Sequence, residues 1–213
     1  MRLYLSSFRL GDRPDRLMAL LDAPRGVAVI ANAIDDRSLK DRAAGAAQEI
    51  EVLTGLGLRP TEIDLRDYYD KPAEAIARTL GRFRTVWVRG GNVFALRYAM
   101  ARSGADRALT ALLAKDALVY AGYSAGACVL APSLRGLETC DDPSVAEEVI
   151  WDGLGVLDYV IVPHVDSPDH PESEVLTALA ARYRAEGVAH QPLRDGQALV
   201  VEDADFSYTI PSV

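Results

Sequence analysis

The sequence is poor in cysteine and has no long apolar run, and each of these features excludes a class of protein. The two cysteines, Cys128 and Cys140, are too few and too badly spaced for a disulfide framework or a zinc site. No apolar run reaches the ~18 residues that a membrane-spanning helix needs. The N-terminal stretch carries early charges, unlike a signal peptide. We therefore expect a cytoplasmic protein with no membrane partner.

Positive charge is also scarce in the chain. The 23 Lys and Arg residues stand against 31 Asp and Glu residues, which gives a net charge of −8. This balance argues against nucleic acid as a partner, because phosphate binding requires clustered Lys and Arg side chains. An apolar content of 49% and a charged content of 25% are typical of a globular protein. A chain of 213 residues fits one domain, which we predict to span 1–213.

Short apolar runs alternate with longer helical patterns through most of the chain. The predicted strands are 2–6, 26–32, 61–65, 85–89 and 117–121, and the predicted helices are 38–56, 72–80 and 94–113. The C-terminal third adds a strand at 159–163, a helix at 174–187 and a closing hairpin at 197–202 and 206–210. This order predicts an α/β fold of three layers, with a mostly parallel sheet and helices on both faces.

A Gly-x-Ser-x-Gly motif lies between the strand at 117–121 and a short helical pattern. In such a strand-to-helix turn, Ser124 takes a strained conformation that exposes its hydroxyl, and the small residues Gly122, Ala125 and Gly126 allow the turn to pack. By itself the motif is equally consistent with a glycine-rich turn that has no chemistry. The residues that accompany Ser124 therefore decide between the two interpretations.

A catalytic serine needs a base, and the chain offers only three histidines: His164, His170 and His190. His164 follows a predicted strand, and in a parallel sheet the carboxyl ends of the strands share one edge with Ser124. His164 is therefore the preferred base. The acid that orients the base is left open among candidates in two loops: Asp141, Asp142 and Asp166.

The intermediate of acyl transfer needs two N–H groups directed at its oxyanion. Ala125, directly after the serine, supplies one, and the loop Gly90-Gly91 after a neighbouring strand fits the second. A nucleotide loop is disfavoured because a third glycine and a lysine are missing. An ordinary esterase fold is also disfavoured, because the spacing between Ser124 and His164 is too short for the elements that separate them there.

Three segments together resemble the dipeptidase E and cyanophycinase family of serine peptidases, whose fold is related to class I glutamine amidotransferases. They are Arg-Gly-Gly-Asn-Val-Phe at 89–94, Gly-Tyr-Ser-Ala-Gly-Ala at 122–127 and the stretch 154–164 that ends in Pro-His. The resemblance implies hydrolysis of small peptides from the N-terminus without a metal or an organic cofactor, and it suggests a homodimer. The residue roles it implies are Ser124 as nucleophile, His164 as base, Gly91 and Ala125 as oxyanion donors, Asp141 (rival Asp142) as third member, and Gly90 and Asn92 as substrate-binding residues.

One segment departs from the family pattern. Aspartyl dipeptidases carry an arginine after the catalytic histidine, where it would pair with the substrate's aspartate, whereas the matching stretch here is Glu172-Ser173-Glu174. Glu174 is thereby predicted to be substrate-binding and to repel an acidic side chain, so Asp-X selectivity is not expected. The chain is also shorter than expected for a cyanophycinase. Two other functions stay open: a catalytically silent binding protein on the same fold, and a small-ester hydrolase.

Overall fold

A computed structural model describes residues 1–21 and 26–202, and within them a main sheet and a small second sheet form. The strands are β1 (Arg2–Ser6), β2 (Gly26–Ile30), β3 (Arg59–Glu62), β4 (Thr85–Val88), β5 (Val119–Tyr123), β6 (Val160–Val162), β7 (His190–Pro192) and β8 (Ala198–Glu202). The main sheet has the order β3-β2-β4-β5-β1-β8. Its strands are parallel except β8, which pairs antiparallel with β1.

Helices cover both faces of the main sheet, as the α/β prediction requires. They are α1 (Pro14–Leu20), α2 (Leu39–Gly55), α3 (Ala73–Leu80), α4 (Val93–Ser103), α5 (Ala105–Ala114), α6 (Ala125–Cys128) and α7 (Ser173–Glu186). Alternate residues of each strand point to opposite faces. Tyr4 and Trp87 therefore pack in one core with α1 and α2, while Leu3 and Val86 pack in a second core with α3 to α7. The three-layer α/β architecture is confirmed.

Two predicted elements differ in detail from those observed. The single helix predicted at 94–113 is two helices, α4 and α5, because Gly104 between them adopts a positive φ of 79° that interrupts the helix. The strand predicted at 61–65 is shifted towards the N-terminus and forms β3. The predicted strand at 206–210 lies outside the described residues.

The C-terminal third is arranged differently from the prediction. Strand β6 does not join the main sheet but pairs in parallel with β7, a strand that the sequence pattern does not reveal. Helix α1 was likewise not predicted. Among the described residues, no helix combines the length and apolarity needed to cross a membrane.

Candidate active site

The Gly-x-Ser-x-Gly motif forms a strained elbow between β5 and α6. Ser124 has φ 48° and ψ −120°, a conformation that residues with a side chain rarely adopt. The two motif glycines are required because a Cβ on Gly122 would lie 2.9 Å from the carbonyl oxygen of Val88, and a Cβ on Gly126 would collide with the same oxygen. The close approach to β4 thus holds the turn in its strained form. This geometry favours a nucleophile elbow over a plain turn.

The loop after β4 lies directly beside Ser124. A Cβ on Gly90 would lie 2.9 Å from the Cβ of Ser124, so the two main chains are in close contact. Gly91 has φ 148°, and a Cβ there would collide with the carbonyl oxygen of Ala33, so only glycine fits. Within the described residues, the N–H groups of Gly91 and Ala125 donate no hydrogen bond. Neither predicted oxyanion donor is therefore committed to another acceptor within those residues.

His164 follows β6 and is held through both its backbone and its ring. It is buried, its backbone N–H donates to the hydroxyl of Ser7 at 2.8 Å, and its Nδ1 lies 2.6 Å from Oδ1 of Asp195. The Ser7 hydroxyl in turn donates to the same Asp195 oxygen at 2.8 Å. Burial would raise the pKa of Asp195, but the hydrogen bonds from His164 and Ser7 outweigh it, and the pKa is lowered. A charged Asp195 fixes the proton on Nδ1 and leaves Nε2 of His164 free to act as a base.

The carboxylate that contacts the His164 ring is therefore that of Asp195, and not that of Asp141, Asp142 or Asp166, the candidates left open by the sequence. Asp141 instead accepts a hydrogen bond from the backbone N–H of Val93 at 2.7 Å, at the start of α4. Asp142 is exposed and accepts from the N–H of Ser144. Asp166 forms an exposed ion pair with Arg194. None of these three carboxylates contacts the His164 ring.

The pairing of β6 with β7 explains why the acid was missed. The N–H of Leu193 donates to the carbonyl of Val162, and the N–H of Val165 donates to the carbonyl of Leu193. These bonds continue the two-stranded sheet to the point where His164 and Asp195 meet. In the sequence, Asp195 is followed by Gly196, which indicates only a turn. The sequence pattern that would have indicated Asp195 is an acidic residue just after a strand that pairs with the strand before His164.

The predicted substrate-binding residues have different outcomes. Gly90 lines the cleft at Ser124. Asn92 also lines it, but its side-chain oxygen caps α4 and its amide donates to the carbonyl of Asp142, so its polar atoms are used inside the protein. Glu174 is exposed on α7 and lines a different surface depression, whereas Glu172 faces the cleft. The carboxylate of this segment that lines the cleft is thus Glu172, two residues before the predicted Glu174.

His170 is a cleft residue to which the sequence gave little weight. Its ring stacks on the ring of His164, with centroids 3.5 Å apart and an interplanar angle of 1°, and Phe8 packs edge-on against both rings. Burial and the neighbouring His164 lower the pKa of His170, so its neutral form is favoured. A neutral stacked ring supports the orientation of His164 without competing for its proton.

His164, His170 and Glu172 offer potential metal-ligand atoms that all lie within 4.8 Å of one another. The two imidazole rings, however, lie in parallel planes, and the lone pair of each ring nitrogen lies within its own plane. Two stacked rings therefore cannot both direct a lone pair at one ion. The arrangement does not fit a metal centre, and the absence of a cofactor stays a prediction.

The cleft that joins these groups has a volume of about 380 Å³. Ser124 and His164 both line it, together with the carboxylates of Asp36, Asp141 and Glu172. Burial raises the pKa of Asp141 to about 7 against the hydrogen bond from Val93, and the nearby charges of Glu172 and Asp36 add to the rise. The guanidinium groups of Arg9, Arg37 and Arg89 line it as well, so the cleft carries charges of both signs around Ser124 and His164.

Comparison with known proteins agrees with this geometry. Residues 37–209 match the sequence model of peptidase family S51. The chain belongs to this family. It is accordingly a serine-type peptidase, a hydrolase of the dipeptidase E family, as the motif resemblance implied.

Individual relatives carry peptidase names. An uncharacterised peptidase of Listeria innocua is 30% identical over 73% of this chain and 71% of its own length. A peptidase E of Streptomyces coelicolor is 36% identical over 50% of this chain and 42% of its own length. The crystal structure of a candidate peptidase E protein from Listeria monocytogenes superposes with a TM-score of 0.80 at 22% identity, over 99% of this chain and 98% of that one. This last likeness confirms the fold.

Proposed function

We propose that the chain is a serine exopeptidase that hydrolyses small peptides from a free N-terminus through an acyl-enzyme. The observation that carries the proposal is that the strained Ser124 and the buried His164 line the same cleft, while Asp195 is bonded to the His164 ring. Ser124 Oγ attacks the peptide carbonyl while Nε2 of His164 takes the hydroxyl proton, and Asp195 stabilises the imidazolium that forms.

The oxyanion of the tetrahedral intermediate is held by the N–H groups of Gly91 and Ala125. His164 then gives its proton to the leaving amine, the C–N bond breaks, and the acyl group stays on Ser124. A water molecule, deprotonated by His164, attacks the ester, and a second tetrahedral intermediate releases the acid and restores the hydroxyl of Ser124. Every proton that leaves a nucleophile thus returns to a leaving group through His164.

Selection of a free N-terminus is supported by the carboxylates among the charged groups that line the cleft. The carboxylates of Asp141, Glu172 and Asp36 face the space next to Ser124 and would pair with an α-ammonium group. The lining also contains Arg9 and Arg37, so the argument against Asp-X peptides as preferred substrates rests on Glu172, whose carboxylate would repel an acidic first residue.

A screen of peptides with free and with N-acetylated termini tests this proposal. We expect kcat/KM to fall by about 10- to 100-fold on acetylation, because one charge-assisted contact contributes about 1.5–3 kcal/mol. The matched substrates are an aminoacyl-p-nitroanilide and its acetylated form. Equal rates would contradict the exopeptidase assignment, and cleavage of esters but of no free peptide would favour the small-ester hydrolase.

The pH dependence of amine selection provides a second test. Asp141 with a pKa of about 7 is neutral at pH 5.5 and charged at pH 8, so it attracts the ammonium group only at the higher pH. The ratio of kcat/KM for the free over the acetylated substrate should therefore rise through pH 7 and fall above about 8, where the α-amine loses its proton. Using the ratio cancels any pH dependence that the two substrates share. In Asp141→Asn we expect the rise through pH 7 to disappear, and an unchanged profile would exclude Asp141 from amine binding.

A further inference from the structure

Glu49 is a buried carboxylate on α2, a place where a charged side chain needs compensating partners. It lies on the inward face of the helix between the buried Ala46 and Leu53. Its Oε2 accepts from Nε1 of Trp87 at 2.8 Å, and its Oε1 accepts from the hydroxyl of Tyr123 at 2.7 Å. The charge of Glu49 is thus held against the ends of β4 and β5, where the active-site loops begin.

Glu49 also forms an ion pair with Arg89, the first residue after β4. Oε1 of Glu49 lies 3.3 Å from Nε of Arg89. From this position Nη1 of Arg89 donates to the carbonyl oxygen of Gly90 at 2.6 Å. Among the described residues, Nε of Arg89 has no hydrogen-bond partner, so it is the attraction between the two charges that keeps the guanidinium beside Glu49. The guanidinium in turn holds the Gly90 carbonyl through Nη1.

The direction of that carbonyl determines the direction of an oxyanion donor. The peptide between Gly90 and Gly91 is planar and trans, so its C=O and N–H point in opposite directions. With the carbonyl bound to Arg89, the N–H of Gly91 points away from the guanidinium. Glycine at both positions leaves this peptide free to rotate unless something holds it.

The same carboxylate acts on the other side of the oxyanion site. Tyr123, which donates to Glu49, directly precedes Ser124, and Ala125 provides the second predicted donor. One side chain on α2 is thus linked to both main-chain segments that supply N–H groups.

We propose that Glu49 is a positioning residue for the oxyanion hole, acting through Arg89 on the Gly90–Gly91 peptide and through Tyr123 on the elbow. The inference rests on the proposed acyl-enzyme function. Because an oxyanion forms only in the transition state, loss of this alignment should lower kcat and leave KM nearly unchanged.

The experiment compares Glu49→Gln and Arg89→Met with two reference variants. Arg89→Lys keeps a cation that can pair with Glu49 and donate to the Gly90 carbonyl, and it should recover part of the loss. Arg97→Met removes an ion pair with Asp106 that joins α4 to α5 and involves no group of either loop, and it should lower the melting temperature but keep kcat. The readouts are kcat, KM, thermal melting, and the rate of Ser124 labelling by a fluorophosphonate, whose phosphoryl oxygen occupies the oxyanion site.

For Glu49→Gln and Arg89→Met we expect kcat and the labelling rate to fall by about 10- to 100-fold, somewhat less than the loss of a whole oxyanion donor. KM should stay within about 3-fold. If Glu49→Gln does not fold, the comparison of Arg89→Met with Arg89→Lys carries the test.

Two outcomes would overturn the inference while the proposed function stands. The first is a wild type that is active and labelled, with kcat unchanged in Glu49→Gln and Arg89→Met. The second is a rise in KM alone in Arg89→Met, which would make Arg89 a substrate-binding residue. A wild type that is neither labelled nor active on peptides would instead overturn the proposed function, and this inference with it.

Discussion

Ser124→Ala should abolish peptide hydrolysis, with kcat reduced by at least about 10⁴-fold, because a nucleophile that acts with a base and an acid cannot be replaced by its partners. The fold should survive, since alanine retains the Cβ that the elbow already accommodates at φ 48°. Activity is measured with an aminoacyl-p-nitroanilide, and covalent capture with a fluorophosphonate followed by mass determination.

The control for Ser124→Ala is Ser144→Ala. Ser144 is an exposed serine in the loop beside the cleft, and only its backbone N–H is used, as the donor to Asp142. We expect this variant to keep its rate within about 2-fold, in line with other surface substitutions. Full hydrolysis by Ser124→Ala, or labelling of another residue in the wild type, would refute the assignment of the nucleophile.

Asp195→Asn should produce the second largest loss, with kcat lowered by about 10³- to 10⁴-fold. The asparagine fits the same space, but its amide can present N–H groups to Nδ1 of His164, which then becomes an acceptor. The proton moves to Nε2, and His164 can no longer take a proton from Ser124. The loss of the Asp195 charge also removes the partner that stabilises the imidazolium.

Asp142→Asn is the matched comparison for Asp195→Asn, because it tests whether a loop carboxylate rather than Asp195 orients His164. Asp142 is fully exposed at a turn, so its variant should keep kcat within about 3-fold. Asp141→Asn should act mainly on the pH-dependent selection of free amines. If Asp141→Asn or Asp142→Asn lowered kcat strongly and Asp195→Asn did not, the acid predicted from the sequence would be the one that orients His164.

The main sheet was predictable because its inner strands are continuous apolar runs in the sequence. Strands β2, β4 and β5 are buried on both faces, so apolar side chains occupy nearly every position. Strand β7 has no apolar run, because its residues His190-Gln-Pro are only half-buried. It pairs with β6 in the two-stranded sheet. The break at Gly104 was also ambiguous, since an isolated glycine does not have to end a helix.

The site was predictable where local chemistry determines it and not where distant segments meet. Ser124, Gly91 and Ala125 belong to short motifs in which the residue types themselves set the conformation. His164 was found because it follows a recognisable strand. Asp195 reaches the histidine only through the pairing of β6 with β7, a long-range contact that a single sequence does not record.

The geometry around Ser124 is defined by contacts between main chains. Gly122 and Gly126 lie against the carbonyl of Val88, and Gly91 lies against the carbonyl of Ala33. Carbonyl oxygens are present whatever side chain a residue carries, so substitutions at Val88 or Ala33 leave these contact surfaces in place. Substitutions in the strands and helices therefore have little effect on the position of Ser124, whereas a single methyl group added at any of the three glycines would displace it.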